Sequence, residues 1–457
     1  MKSLTSGGFA FGICLTVAIL AGCGPSTNSM PLESRGDTSA PFSSRTPAFV
    51  PPPSESSPTF KVLYSFMGSP DGAYPVGGVA FDNKGALYGT TVAGGSPNLC
   101  TQPNTIGCGT VFKLMPSGSG YTESVLYRFV SDPSNSDGTS PMGSLVVDKG
   151  GAVYGATAYG NVIGHGVLFK LSPTPLGYTE SILHNFYDPP DGVTPMAGLV
   201  AGKNGALYGT TRYGGAEHGC LHICSGCGTV FMISNSAYSS LYSFCGHSRL
   251  GRYGANPLGG LVVDKDGTLY GTTSSGGAHD FGNVFSLSHT FRVLHSFCAQ
   301  FPCFSGAKPQ AVLILDSNGA LYGTTSGGGR RDNGTVFKLT PSGSGYKESI
   351  LHTFRNSPDG SDPVAGLVAD KTGALYGTTM FGGGVTRGCG GCGIVFKLTP
   401  TRSGYRESIL HRFTGGADGG EPQAGLIFGK DGALYGTTTY GGSGGGFGDG
   451  TVFKLTP

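Results

Sequence analysis

The chain has 457 residues, 83 of them Gly and 29 Pro, with 12% charged residues and a formal net charge of +2. That balance leaves no electrostatic field to attract nucleic acid or an anionic membrane, so neither is expected as a charge-driven partner. Gly and Pro at about a quarter of the chain would signal low complexity, but Leu, Val, Phe and Tyr recur between them at regular intervals from Phe60 onward, which argues for an ordered array.

Residues 1–22 read as an export signal. Lys2 supplies a thin positive region, and residues 9–20 form an apolar stretch too short for an ordinary membrane span. Leu20-Ala21-Gly22-Cys23 then resembles the lipobox of bacterial lipoproteins, which implies cleavage before Cys23 and acylation of its thiol and new amino terminus. Gly24 in place of Asp resembles lipoproteins passed on to the outer membrane or cell surface. Each buried acyl methylene contributes about 0.8 kcal/mol, so several chains on Cys23 would anchor the protein firmly. Residues 23–58 carry Pro, Ser and Thr, including Pro51-Pro52-Pro53, and read as a lipidated Cys followed by a disordered tether. The membrane is expected to touch the chain through the lipid alone.

Residues 59–457 form one repeat domain. A single sentence recurs seven times, roughly V-L-x-x-F, D-G-x-x-P, G-L-V-x-D-x-x-G-A-L-Y-G-T-T, G-G and G-T-V-F-K-L. Its Tyr falls at Tyr88, Tyr154, Tyr208, Tyr270, Tyr322, Tyr376 and Tyr435, 52 to 66 residues apart. A unit of that length cannot bury its apolar surface alone, so neighbours must stack. Its apolar runs are short, β-branched and aromatic, and bounded by turn residues, which is the signature of strands. In the first copy the spacing predicts strand a over 77–82, b over 86–91, c over 109–115 and d over 121–129. Gly118 and Gly120 mark the c-to-d hairpin. Repeated four-stranded antiparallel units describe an all-β propeller. The array opens with a lone strand d at 60–66 and closes on a strand c at 450–457. Seven blades follow if the first strand completes the last blade, which removes two exposed edges.

The repeats G-A-L-Y-G-T-T, G-G and G-T-V-F-K-L resemble the GloVer tandem repeat of choice-of-anchor proteins, secreted bacterial proteins whose anchors vary. The resemblance covers nearly all of residues 60–457 and implies no settled reaction or ligand. Trp is absent, so Trp-Asp repeats, Trp-rich quinoprotein blades and kelch repeats fit less well.

A residue present in every copy reads as framework. The seven Tyr are expected to pack between blades, and Asp82, Asp148, Asp264, Asp316 and Asp370 to shape the a-to-b turn. The Asp-Gly pairs at Asp71, Asp137, Asp191, Asp359 and Asp418 are read the same way. Cys14 leaves with the signal and Cys23 takes lipid, which leaves ten cysteines in an exported domain, an even number consistent with disulfides. The expected pairs are Cys100 with Cys108, Cys224 with Cys227, Cys298 with Cys303, Cys389 with Cys392, and Cys220 with Cys245; Cys220 with Cys227 and Cys224 with Cys245 is the rival. His218, Cys220, His222, Cys224 and Cys227 could instead hold zinc, but the disulfide reading is preferred and no metal or cofactor is expected.

Departures from the repeat gather on the b-to-c and d-to-a loops of blades 3 to 5. Arg212, Tyr213, His218, His222, His247, Arg249, Arg252, Tyr253, His279, Asp280, Arg330, Arg331 and Asp332 are the candidate ligand residues, since loops on a rigid scaffold carry binding groups. Arg and Tyr suit a carboxylate-bearing or sugar-like ligand. No Ser-His-Asp order, paired-carboxylate signature or phosphate cradle stands out, so catalytic residues stay unassigned. The expectation is a monomeric, lipid-anchored envelope propeller that binds protein or glycan. The alternatives are a polysaccharide hydrolase or lyase using His and Asp of blades 3 to 5, and a structural spacer.

Overall fold

The computed structural model describes residues 57–457 except 97–99, 101–106, 119, 133–134, 161–163, 188–189, 216–226, 245–252, 385–390 and 444–447. The expected signal, Cys23 and most of the expected tether therefore lie outside the described residues. Seven four-stranded antiparallel sheets form a ring. Blade 1 consists of strands a to d at Ala80–Phe81, Leu87–Thr91, Thr110–Ser117 and Gly120–Arg128. Blades 2 to 6 repeat the order over 146–185, 200–243, 262–296, 314–353 and 368–412. Blade 7 takes Ile427–Phe428, Leu434–Thr438 and Thr451–Thr456 from the end of the array and Thr59–Ser65 from its start. Thr59 lies opposite Thr456 and Ser65 opposite Thr451 across this closure, so the seven-bladed ring read from the repeat is the one observed.

Strand b, the L-Y-G-T-T element, is buried throughout in blade 1. Its Gly is required by a close approach: a Cβ on Gly89 would stand 2.4 Å from Cζ of Phe112, the residue paired with it on strand c. Phe112 itself is fully buried, as is Phe66 of the closing strand. Burying a side chain of this size contributes about 1.5–3 kcal/mol, and the ring repeats the arrangement blade by blade. Each apolar cluster straddles two blades: Tyr88 and Val111 of blade 1 pack with Leu145, Val153 and Phe169 of blade 2.

Strand a is shorter than the spacing predicts. Only Ala80–Phe81 pairs in blade 1, because residues 77–79 run along the axis, where neighbouring blades crowd together. A Cβ on Gly77 would meet the carbonyl oxygens of Met142 and Gly143 at 2.9 Å. The Tyr and Asp of the repeat hold one another: Tyr88 donates to Asp82 at 3.2 Å, while the other carboxylate oxygen accepts from the amides of Lys84 and Ala86. Equivalent Tyr–Asp bonds join Tyr154 to Asp148, Tyr270 to Asp264, Tyr322 to Asp316 and Tyr376 to Asp370. In blade 7 Gly429 replaces that Asp, and Tyr435 reaches Asp431 instead.

The two Thr of strand b have different tasks. The second turns inward, as Thr91 does toward Thr110 at 2.8 Å. The first reaches the next blade: Thr90 donates to Gly143, Thr210 to Gly259, Thr272 to Ala311, Thr324 to Ala365, Thr378 to Ala424 and Thr437 to Gly77. Blade 2 has Ala156 at this position and so lacks a hydroxyl there.

At the outer seams, strand d of one blade faces strand d of the next. The Tyr or His two residues before the buried Phe bonds the Asp of D-G-x-x-P: Tyr64 to Asp71 at 3.0 Å, Tyr127 to Asp137, His184 to Asp191 at 2.9 Å and His411 to Asp418 at 3.1 Å. The next blade presents either a Glu or an aromatic ring at one register position, that of Glu123, Glu180, Tyr238, Phe291, Glu348, Glu407 and Phe60. The rings stack: Tyr238 on His184 at 3.8 Å, Phe291 on Tyr242 at 4.0 Å and Phe60 on His411 at 3.8 Å.

Candidate functional site

The axis of the ring holds a cavity of about 360 Å³, walled by one short segment from each blade. Val76, Met142, Met196, Leu258, Gln310, Val364 and Gln423 each follow the Pro of D-G-x-x-P, and small residues such as Gly77, Ala197 and Ala311 continue the wall. Ser144, Gln310 and Gln423 are polar, and none of the described residues lining the cavity is titratable. The wall can accept an apolar or hydroxyl-bearing group but offers no acid or base.

Two residues before each of those positions the backbone does something the residue types do not announce. Tyr74, Ser140, Thr194, Asn256, Lys308, Asp362 and Glu421, one per blade, adopt φ between 53° and 59°. This left-handed conformation costs a residue with a Cβ roughly 1–2 kcal/mol. Two backbone hydrogen bonds hold it at every position. The ring residue's amide donates to the preceding blade, Tyr74 to Asp449 at 2.8 Å, Ser140 to Cys108 at 2.9 Å and Lys308 to Phe281 at 2.8 Å. Its carbonyl accepts from the residue after strand b of its own blade, as Tyr74 does from Val92 and Lys308 from Ser326. The same two bonds recur at Thr194, Asn256, Asp362 and Glu421. Constant backbone and seven different side chains make a ring of interchangeable contacts around the cavity mouth, and strained backbone of this kind is characteristic of binding sites.

Aromatic rings lie beside three of these seven residues, Ser140, Asp362 and Glu421. Tyr159, Phe381 and Tyr440 are 42%, 36% and 37% exposed. Each belongs to a b-to-c loop that bridges the d-to-a loop of its blade, which places both loop sets on one face. Tyr440 meets Tyr74 edge-on at 5.4 Å. Burial and then the neighbouring Asp332 push the Asp362 carboxyl up, against the opposing pull of Lys308, and burial alone raises Glu421.

Of the candidates read from the repeat's departures, Arg212 and Tyr213 stand at this mouth. The Arg212 guanidinium lies 4.7 Å from the Tyr213 ring centre, with Nη1 3.8 Å from Sδ of the cavity residue Met196, and its buried Nε makes no hydrogen bond. Asp280 and Asp332 turn back into their own loops, accepting from the amides of Gly276 and Gly328 at 2.8 and 2.6 Å. His279, Arg330 and Arg331 are exposed on the same loops. Tyr253 sits farther out, edge-on to Phe291 at 6.1 Å. His218, His222, His247, Arg249 and Arg252 lie outside the described residues.

Disulfides brace the ring through its b-to-c and d-to-a loops. Cys100–Cys108 and Cys298–Cys303 pair as expected, with Cα–Cα distances of 5.5 and 4.5 Å. Cys227 and Cys392 are also disulfide-bonded, while Cys220, Cys224, Cys245 and Cys389 lie outside the described residues. The carbonyls of Cys108, Cys227 and Cys392 are acceptors for the ring amides of Ser140, Asn256 and Glu421, so three bonded cysteines fix the frame from which those side chains project.

A model of the Gloeobacter/Verrucomicrobia repeat matches residues 52–251, 100–313, 223–389 and 298–457. No curated protein matches. Among solved structures, the PQQ-bound aldose sugar dehydrogenase of Streptomyces coelicolor is similar at 13% identity and a TM-score of 0.42, over 88% of this chain and 98% of that one. A glucose dehydrogenase candidate from Thermus thermophilus is 15% identical with a TM-score of 0.42, over 88% and 100% of the two chains. A 6-phosphogluconolactonase candidate from Bacteroides uniformis is 13% identical with a TM-score of 0.43, over 71% and 84%.

Proposed function

The chain belongs to the Gloeobacter/Verrucomicrobia repeat family, and we propose that it is a binding propeller of the cell envelope, tethered through lipid on Cys23, that recognises an extracellular glycan at the mouth of its axial cavity. The observation that carries this reading is the left-handed ring at Tyr74, Ser140, Thr194, Asn256, Lys308, Asp362 and Glu421. Identical backbone bonds there support seven different side chains, phenol, hydroxyl, amide, ammonium and carboxylate among them, which is how a scaffold presents recognition groups. Half-exposed aromatic faces stack on sugar rings, and the Arg, Lys, Asp, Glu and Asn groups between them match hydroxyls and carboxylates. A volume of about 360 Å³ falls in the usual range of small-ligand pockets. The absence of titratable groups from the described wall favours binding over hydrolysis at the axis.

An array of bacterial envelope and capsular oligosaccharides, probed with the full chain and with an Arg212→Ala/Lys308→Ala/Tyr440→Ala variant, tests the reading. Binding by the parent and at least tenfold weaker binding by the variant are expected. Equal binding by both places recognition elsewhere, and turnover of a bound oligosaccharide would replace the binding role with a catalytic one. Uptake of a clickable fatty acid by the parent but not by Cys23→Ala tests the tether.

A further inference from the structure

We propose that His352, Asp359 and Glu407 form a binding site for one divalent transition-metal ion of the zinc class at the seam between blades 5 and 6. His352 lies on strand d of blade 5, Gly345–Thr353, Asp359 in the loop that follows, and Glu407 on strand d of blade 6, Gly404–Arg412. Their ligand atoms all lie within 4.8 Å of one another. His352 Nε2 is 3.5 Å from Asp359 Oδ2 and 3.8 Å from Glu407 Oε2. In a tetrahedral site with bonds of 2.0–2.2 Å, neighbouring ligand atoms stand about 3.4 Å apart, so these separations approach those around a shared ion. The buried atoms His352 Nε2 and Glu407 Oε1 make no hydrogen bond. Asp359 Oδ1 accepts from the amide of Arg355 at 2.9 Å, which orients the carboxylate and leaves Oδ2 facing the histidine.

The sister seams provide the control. Where His184 and His411 meet an Asp, they bond it directly at 2.9 and 3.1 Å, and an aromatic ring occupies the Glu position. His295 meets Glu348 at 3.4 Å, but Ser305 replaces the Asp. Among the described seams, His, Asp and Glu coincide only here, and here the His–Asp hydrogen bond has opened. Arg355 and Arg412 act electrostatically on Glu407 and oppose a cation, so moderate affinity is expected.

The test is Co²⁺ absorption and Zn²⁺ titration of the chelator-treated full chain, beside His352→Tyr and Glu407→Phe, which introduce residue types that other seams already accommodate. Expected are one Co²⁺ with visible nitrogen/oxygen-ligated bands and no thiolate charge-transfer band, and affinity at least tenfold weaker in each variant while circular dichroism is unchanged. A parent without that Co²⁺ signature, or folded variants that bind as tightly as the parent, would overturn the site.

Discussion

Replacing Glu123 and Glu180 by Gln should make the propeller more stable in mild alkali and leave it unchanged in mild acid. Burial, and then Asp71 facing Glu123 or Asp137 facing Glu180, raises both carboxyls from 4.5 to about 7. Arg128 pulls Glu123 the other way, and Tyr64 and Tyr127 complete the two clusters by donating to the Asp residues. A carboxyl whose pKa is higher in the folded chain than in the unfolded one favours folding below about 4.5, and this contribution is lost as pH rises toward 7. At 1.36 kcal/mol per pKa unit each shift would be worth roughly 3.4 kcal/mol. Both side chains are partly solvated, and screening reduces this to about 1 kcal/mol each, or about 2 kcal/mol for the pair. With an unfolding entropy of roughly 2.1 cal/mol/K per residue, a ring of this size should gain about 2 °C in Tm. Calorimetry of parent and double variant at pH 5 and pH 8.5 reads the difference. A variant that loses stability at pH 8.5 would show that the carboxylates are stabilising in their ionised form, and equal gains at both values would show that the gain does not come from their ionisation.

Removing residues 57–66 leaves Thr451–Thr456 as an open edge and takes away the fully buried Phe66; Phe66→Ala alone should cost about 3–5 kcal/mol in urea denaturation, and the deletion should drive aggregation visible by light scattering. Ala156→Thr should restore the hydroxyl that six sister blades use to reach their neighbour and gain about 0.5–1.5 kcal/mol, measured by urea midpoint; a loss would mean that Phe186 and Leu168 leave no room. Lys308→Gly should stabilise the fold by about 1 kcal/mol by relieving left-handed strain, while weakening glycan capture on the array.

The architecture was legible because the repeat is its own control. Tyr88 and Asp82 lie six residues apart within one copy, so their pairing follows from local turn geometry. The closing strand was legible from the order of elements at the two ends of the array, and Cys100–Cys108 and Cys298–Cys303 from short spacings in a chain whose start reads as an export signal. The left-handed ring was hidden by its residue types. Left-handed positions usually announce themselves as Gly, Asn or Asp, whereas here only Asn256 and Asp362 do so, and backbone hydrogen bonds impose the conformation on the other five. The outer seams were hidden by distance along the chain. Glu407 meets His352 across one whole repeat, and only aligning the copies as adjacent d strands places them side by side. Strand a is shorter than its composition implies: G-L-V-x-D has the residue types of a strand, while the axis takes its first residues out of the ladder.

The closing strand also sets a mechanical polarity. Thr59 begins a strand d, and in the other blades strand d begins at the c-to-d turn, on the side away from the mouth. The first rung of the ladder that closes the ring, Thr59 to Thr456, therefore lies at the rear. Force directed along the strand loads its rungs together in shear, whereas force directed outward peels them one at a time. The latch that completes the ring therefore resists force to a degree that depends on the angle of pull.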